Sequence, residues 1–204
     1  MTSHQDRQVF VNCPFDDDYA EMFWALVFTI YKCNFVPRCT LEVDDAGENR
    51  FDKIVRIIRE CGYGVHDISR TELGANGLPR FNMPLELGLF LGAQRFSSGS
   101  NRQKRCLVLD REPFRYQQFI SDIAGQDIKA HHSSVSGLVS QVRDWLSIYN
   151  PGLESGSIMR QEYRDFQRDL PSLCDELRLV VEELTFVDYT RLVYVWLESR
   201  ESSN

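Results

Sequence analysis

Apolar positions along the chain fall into short continuous runs separated by longer stretches in which they recur every three or four residues. Val9-Phe-Val-Asn12, residues 35–41, residues 63–68 and Arg105-Cys-Leu-Val-Leu-Asp110 have the length and composition of strands buried on both faces. Between them, residues 19–34 read as a helix. After the polar loop Asp44-Asp-Ala-Gly-Glu48, Ile54, Ile57, Ile58 and Cys61 recur at helical spacing. Residues 71–81 carry Gly74, Asn76, Gly77 and Pro79, the composition of a turn-rich loop. A helix over residues 84–95 and the polar link Ser97-Ser-Gly-Ser-Asn101 follow.

Strand and helix in alternation imply right-handed crossovers and a mostly parallel sheet. The expected fold is therefore α/β: a doubly wound, flavodoxin-like sheet with helices on both faces. In such sheets ligands bind beyond the carboxyl ends of the strands, where the strand order reverses. Residues 12–16, 38–42 and 67–69 occupy those ends.

Past Asp110 the pattern turns helical. Residues 114–123 and 135–149 read as helices, with residues 128–130 as a short edge strand between them. Asn150-Pro-Gly-Leu-Glu-Ser-Gly156 reads as a linker. Two helices are expected over residues 159–199, broken near 185–188. Phe166, Leu170, Leu173, Leu177 and Val180 form one apolar stripe, and Tyr189, Leu192, Val193 and Trp196 another. The division expected is an α/β domain over 1–150 and a C-terminal α-helical extension over 151–204. The extension either packs on the sheet domain or forms a dimer contact.

At 204 residues, 43% of them hydrophobic, the chain can bury one sizeable core. A net charge of -7 and a pI near 5.2 argue against a broad electrostatic footprint for nucleic acid or for an anionic membrane. No apolar run approaches the ~18–20 residues of a membrane span. The opening residues 1–7 lead into a strand rather than a signal peptide, so a cytoplasmic protein is expected. The six cysteines stand singly, without metal-ligand spacing, and read as reduced core thiols. Cys13, beside Pro14 at a strand end, is the one placed to touch a ligand. No histidine partner for a thiol nucleophile is evident.

Motifs for a P-loop, a dinucleotide fingerprint, a zinc protease or a serine-hydrolase elbow are missing. Asp16, Asp17 and Asp18 precede a helix, where acidic residues complement the dipole, so no metal site is expected. Glu86 stands out as the only charge between Arg80 and Arg95. An ionised carboxyl in an apolar setting is costly unless paired or neutralised, and such groups gather at functional sites. Pro84 marks a helix start, which places Glu86 in the first turn. There it either stabilises its own helix N-terminus or faces a crevice above the sheet. Arg38, Arg70 and Arg80 are candidates for phosphate contacts.

Three separated pieces carry a resemblance: the strand end Val-Asn-Cys-Pro-Phe-Asp16, the strand end His66-Asp-Ile-Ser69, and the helix start Asn82-Met-Pro-Leu-Glu-Leu-Gly88. Over roughly residues 8–110 the chain resembles the nucleoside 2-deoxyribosyltransferase family and its TIR-like relatives. That resemblance implies Pro14 and Phe15 against a nucleobase, Asp67 with Ser69 at the ribose, Asn82 at the helix start, and Glu86 at the anomeric carbon. Asn82, Met83 and Pro84 stand where the transferase pattern carries a small or hydroxyl residue, which counts against transfer between deoxynucleosides. The resemblance points instead to prokaryotic proteins of anti-phage defence that cleave NAD or sense nucleotides.

The chemistry is self-consistent. N-glycosidic cleavage passes through an oxocarbenium-like sugar, which a carboxylate beside C1′ stabilises or traps as an ester. Nicotinamide leaves a cationic ring as a neutral molecule, so a second carboxyl acting as general acid is dispensable. The expected function is hydrolysis of the N-glycosidic bond of NAD or a related nucleotide. That molecule is substrate or ligand, and no separate cofactor is expected. The alternatives are a nucleotide-sensing module that signals to a partner effector and a deoxyribosyltransferase. A homo-oligomer or a partner effector is expected in either case.

Overall fold

The computed structural model of the protein describes residues 7–73 and 77–201. Residues 1–6, and Gly74 and Asn76 of the expected turn-rich loop, lie outside the described residues. The strands are β1 (Gln8–Asn12), β2 (Val36–Arg38), β3 (Tyr63–Asp67), β4 (Arg105–Asp110) and β5 (Lys129–Ala130). All pairings are parallel, in the order β2-β1-β3-β4-β5. The order reverses between β1 and β3. The helices are α1 (Ala20–Lys32), α2 (Arg50–Glu60), α3 (Asn82–Phe96), α4 (Val135–Leu146), α5 (Gly156–Leu177) and α6 (Phe186–Glu201).

The period of two along each strand divides the core. Val9, Val11, Val65, Leu107 and Leu109 point to the face covered by α1 and α4. Phe10 points to the opposite face, against α2 and Phe90 of α3, and Val108 packs there with Met83 and Leu87. Both faces are thus covered, as a doubly wound sheet requires. Gly64 of β3 allows the second face to close, because a Cβ there would stand 2.7 Å from His66 Nε2 and 2.8 Å from the Phe90 ring.

Local signals account for the helix ends. Asn49 caps α2 by accepting from the Phe51 N–H at 2.8 Å. At its other end the buried Lys104 ammonium donates to the carbonyls of Ile58, at 2.6 Å, and Cys61. A cation is favourable at a helix C-terminus. Helix α1 is buried nearly all round, from Ala25 to Ile30. The sheet takes one side and the C-terminal helices the other. Phe28 stacks on Phe166 of α5 at 5.3 Å and meets Trp196 of α6 at 5.8 Å. Tyr189 of α6 donates to the Trp24 carbonyl, and Lys32 pairs with Glu162. Each such buried Phe or Leu contributes roughly 1.5–3 kcal/mol.

Several element boundaries differ from the sequence expectation. The second strand shrinks to three residues, because the chain turns into a 3₁₀ segment at Thr40–Glu42. Residues 114–123 form no α-helix. Phe114 takes a left-handed φ of 63°, and two short 3₁₀ turns, Arg115–Gln118 and Ser121–Ile123, follow. The C-terminal break comes earlier than 185–188, at Arg178, whose φ of 57° ends α5. Among the described residues no helix is long and apolar enough to cross a membrane.

Candidate active site

A cleft of about 770 Å³ opens at the carboxyl end of β1, the strand beside which the order reverses. Its wall is built from three segments: residues 12–16 after β1, Arg50 at the start of α2, and residues 78–83 with Glu86 from the β3–α3 connection and α3. Asp16 binds the loops together. It pairs with Arg80 and lies 3.5 Å from Arg70, which also reaches Asp18 at 3.1 Å. These ion pairs join the loop after β1 to the loop after β3 across the cleft mouth.

Helix α3 begins two residues before Pro84, so Glu86 lies in the second turn rather than the first. Proline still fits, because its missing N–H is among those left free at a helix start. The shift of frame matters: Met83, Glu86, Leu87 and Phe90 now share the buried face of α3. Glu86 is only 8% exposed, and no described residue gives it a hydrogen bond or an ion pair. Burial pushes its carboxyl up to about 7, and the nearby Arg50 charge opposes that rise. A helix-dipole role does not account for a carboxyl so placed.

Of the other residues expected at the site, Pro14, Phe15 and Asn82 line the cleft with Glu86. Phe15 is 39% exposed and rests edge-on against Phe23 at 5.2 Å, which leaves a ring face open at the rim. Asp67 is elsewhere. It is 0% exposed and does not line the cleft, and its carboxylate accepts from Tyr19 Oη at 2.5 Å and the Ser69 N–H at 2.8 Å. His131 Nε2 stands 3.0 Å from the same carboxylate. Although burial raises an acid, these partners hold Asp67 below the usual carboxylate range. Ser69 is likewise buried, its N–H given to Asp67 and its carbonyl to Arg115.

Arg38 also turns away. Its guanidinium is taken by Glu42, at 2.6 Å, by Glu60, at 2.9 Å, and by Gln8 at the amino end of β1. Arg80 lines the cleft and Arg70 does not, and both are already paired with aspartates. Cys13 lines the cleft, yet burial first and then the Asp67 charge push its thiol well above the usual range. A thiolate nucleophile is not supplied there. Among the described residues no group of histidine, cysteine and carboxylate side chains is arranged to hold a metal.

Two residues of the site, Arg50 and Phe81, escape sequence reasoning, and a third, Asn12, is expected only as part of the strand end 12–16. Arg50 faces the cleft because Asn49 caps α2 at that point, and it forms no ion pair with a described residue. Phe81, 61% exposed, adds a second aromatic ring to the rim. Asn12 ends β1 and lines the cleft with Glu86, its Nδ2 donating to the Met83 carbonyl at 2.9 Å. The polarity reversal at the end of Val9-Phe-Val-Asn12 was the available signal for the last. No protein-family model matches the chain and no curated protein does, so the function of the cleft has to come from its own residues.

Proposed function

We propose that the protein binds a nucleotide in this cleft and hydrolyses its N-glycosidic bond, NAD being the leading substrate. The observation that carries the reading is Glu86: a carboxyl without a partner among the described residues, nine-tenths buried, in a cleft at the switch point of a parallel sheet. The rim provides aromatic faces at Phe15 and Phe81 for a flat base. Arg50 provides a cation for a phosphate. Ionised Glu86 acts at the anomeric carbon, stabilising the developing oxocarbenium charge or forming an ester that water then opens. The low-dielectric setting that raises its pKa also strengthens its attraction to that positive charge. A role in anti-phage defence and a cytoplasmic location accompany this reading.

A sensor module that binds the nucleotide without cleaving it is the second reading. One observation favours it: Asp67, the second carboxylate expected at the sugar, is sealed beneath the cleft by Tyr19 and Ser69. Incubating the protein with NAD, nucleosides and nucleotides, then chromatographing for released base, separates the two. Base released by the wild type but not by Glu86→Gln supports the enzyme. Binding measured by calorimetry without release supports the sensor.

A further inference from the structure

We propose that Asn12 sets the sugar specificity of the cleft, its Oδ1 accepting a hydrogen bond from the ribose 2′-hydroxyl and so selecting ribosyl over 2-deoxyribosyl nucleotides. This rests on the nucleotide reading above and gives it a substrate class.

The orientation of the Asn12 amide is fixed by its neighbours. Its Nδ2 lies 2.9 Å from the Met83 carbonyl and 3.0 Å from His66 Nδ1. A backbone carbonyl is only ever an acceptor, so nitrogen must face it. The second Nδ2 hydrogen then goes to His66, whose Nδ1 is an acceptor in the tautomer protonated at Nε2. His66 is suited to that neutral state. It is sealed between the rings of Phe10 and Phe90, at 5.8 and 4.9 Å, and burial lowers its pKa to about 3. Both amide hydrogens are therefore committed inward.

What remains for the cleft is Oδ1. Asn12 is 2% exposed and lines the cleft, and no described residue donates to Oδ1. It is an acceptor held rigid by two bonds, with no donor of its own to offer. A ligand group that meets it must be an O–H or N–H.

Position identifies the group. Asn12 and Glu86 line the same cleft, and the Asn12 amide is bonded to the main-chain carbonyl of Met83, one turn before Glu86 on α3. With Glu86 at C1′, the donor of a nucleotide nearest the reacting carbon is the 2′-hydroxyl, two bonds away. Exocyclic amines lie farther out, where Phe15 and Phe81 ring the mouth. A site built to bond a hydroxyl rejects the analogue that lacks it, because the acceptor is left unpaired in a partly buried place.

The test is calorimetric titration of the full chain with NAD, AMP and GMP, and with the 2′-deoxy counterparts of the two monophosphates. Wild type should bind each ribonucleotide about tenfold or more tightly than its deoxy partner. Asn12→Ser keeps a small polar side chain whose hydroxyl is too short to reach the place of Oδ1, and should bring the ratio within about twofold by weakening the ribonucleotide alone. A purely structural role for Asn12 would weaken both ligands together. Equal wild-type affinity for the members of a pair overturns the assignment while leaving the nucleotide reading intact. A ratio that persists in folded Asn12→Ser also overturns it. Failure of every nucleotide to bind removes the nucleotide reading and this inference with it. Should Asn12→Ser not fold, the wild-type ratio still decides.

Discussion

Tyr19 gives its hydroxyl hydrogen to Asp67 at 2.5 Å across 48 residues of sequence, tying the start of α1 to the end of β3 directly beneath the cleft. The bond turns an aspartate that ends a central strand into a structural anchor. Tyr19 and Asp67 are both sealed from solvent, and burial together with the Asp67 charge raises the Tyr19 hydroxyl far above its usual pKa. The phenol therefore stays protonated and donating at any working pH. Tyr19→Phe should lower stability by about 1.5–3 kcal/mol, the range for a hydrogen bond to a charged group. Urea unfolding measures the loss. Ligand affinity should change by less than about twofold, and a large fall in affinity at unchanged stability would return Asp67 to the sugar.

Glu86 carries a linkage that runs in the opposite sense to an ordinary ion-paired acid. Its folded pKa of about 7 lies above the ordinary 4.5. Between those values the unfolded chain releases a proton that the folded chain keeps, so stability falls as pH rises. The full penalty, about 3 kcal/mol, is present above pH 7 and falls below about 1 kcal/mol by pH 5. Glu86→Gln should thus melt higher than wild type at pH 8 and close to it at pH 5. Melting curves at the two pH values check this, and an equal effect at both would mean the carboxyl is not held neutral by burial.

The same titration bears on turnover. If ionised Glu86 is the working form, base release should rise with pH through about 7 and then level off. Arg50 opposes the upward shift, so Arg50→Gln should move the midpoint of that rise to higher pH. A rate that falls above pH 7 would make Glu86 a proton donor instead. A midpoint unmoved by Arg50→Gln would show that Arg50 is too distant to matter.

How far the molecule can be read from its sequence depends on whether the cause is local. Strands β1 and β4 are built on continuous apolar runs and β3 is a short buried segment around Val65, and their alternation with helices suffices for the parallel sheet. Glu86 is legible for the same reason, as one charge in an apolar helix. Residues 114–123 mislead because Phe114, Phe119, Ile120 and Ile123 suit a helix. Instead Arg115 is drawn inward by Asp110 and by the carbonyls of Ile68 and Ser69, and the segment folds as 3₁₀ turns around it. Asp67 misleads more deeply. Its side-chain partners Tyr19 and His131 come from distant segments, and only the Ser69 N–H, which a turn would supply in any case, lies near it in sequence. Arg50 joins the site only because the start of α2 converges on the loops after β1 and β3.

The C-terminal helices bury the outer side of α1 and send no residue into the cleft lining. Trp196 shows what they contribute. It is 3% exposed, packs on Phe28 and Phe166, donates from its indole to Asp169 at 3.0 Å, and carries Arg200 over its ring at 4.5 Å. Trp196→Ala should lower stability by about 3–5 kcal/mol, since it opens a cavity lined by aromatic rings and strands the Asp169 bond. Activity per folded molecule at a temperature well below the transition should be unchanged. Truncation before Met159 is the harsher form of the same experiment. It strips Tyr163, Phe166, Tyr189 and Trp196 from Phe28 and its neighbours, leaving a helix that is apolar on its outer side in contact with water. Aggregation in light scattering is the expected result. A truncated chain that stays monodisperse and as stable as the whole would show that α1 does not need this cover.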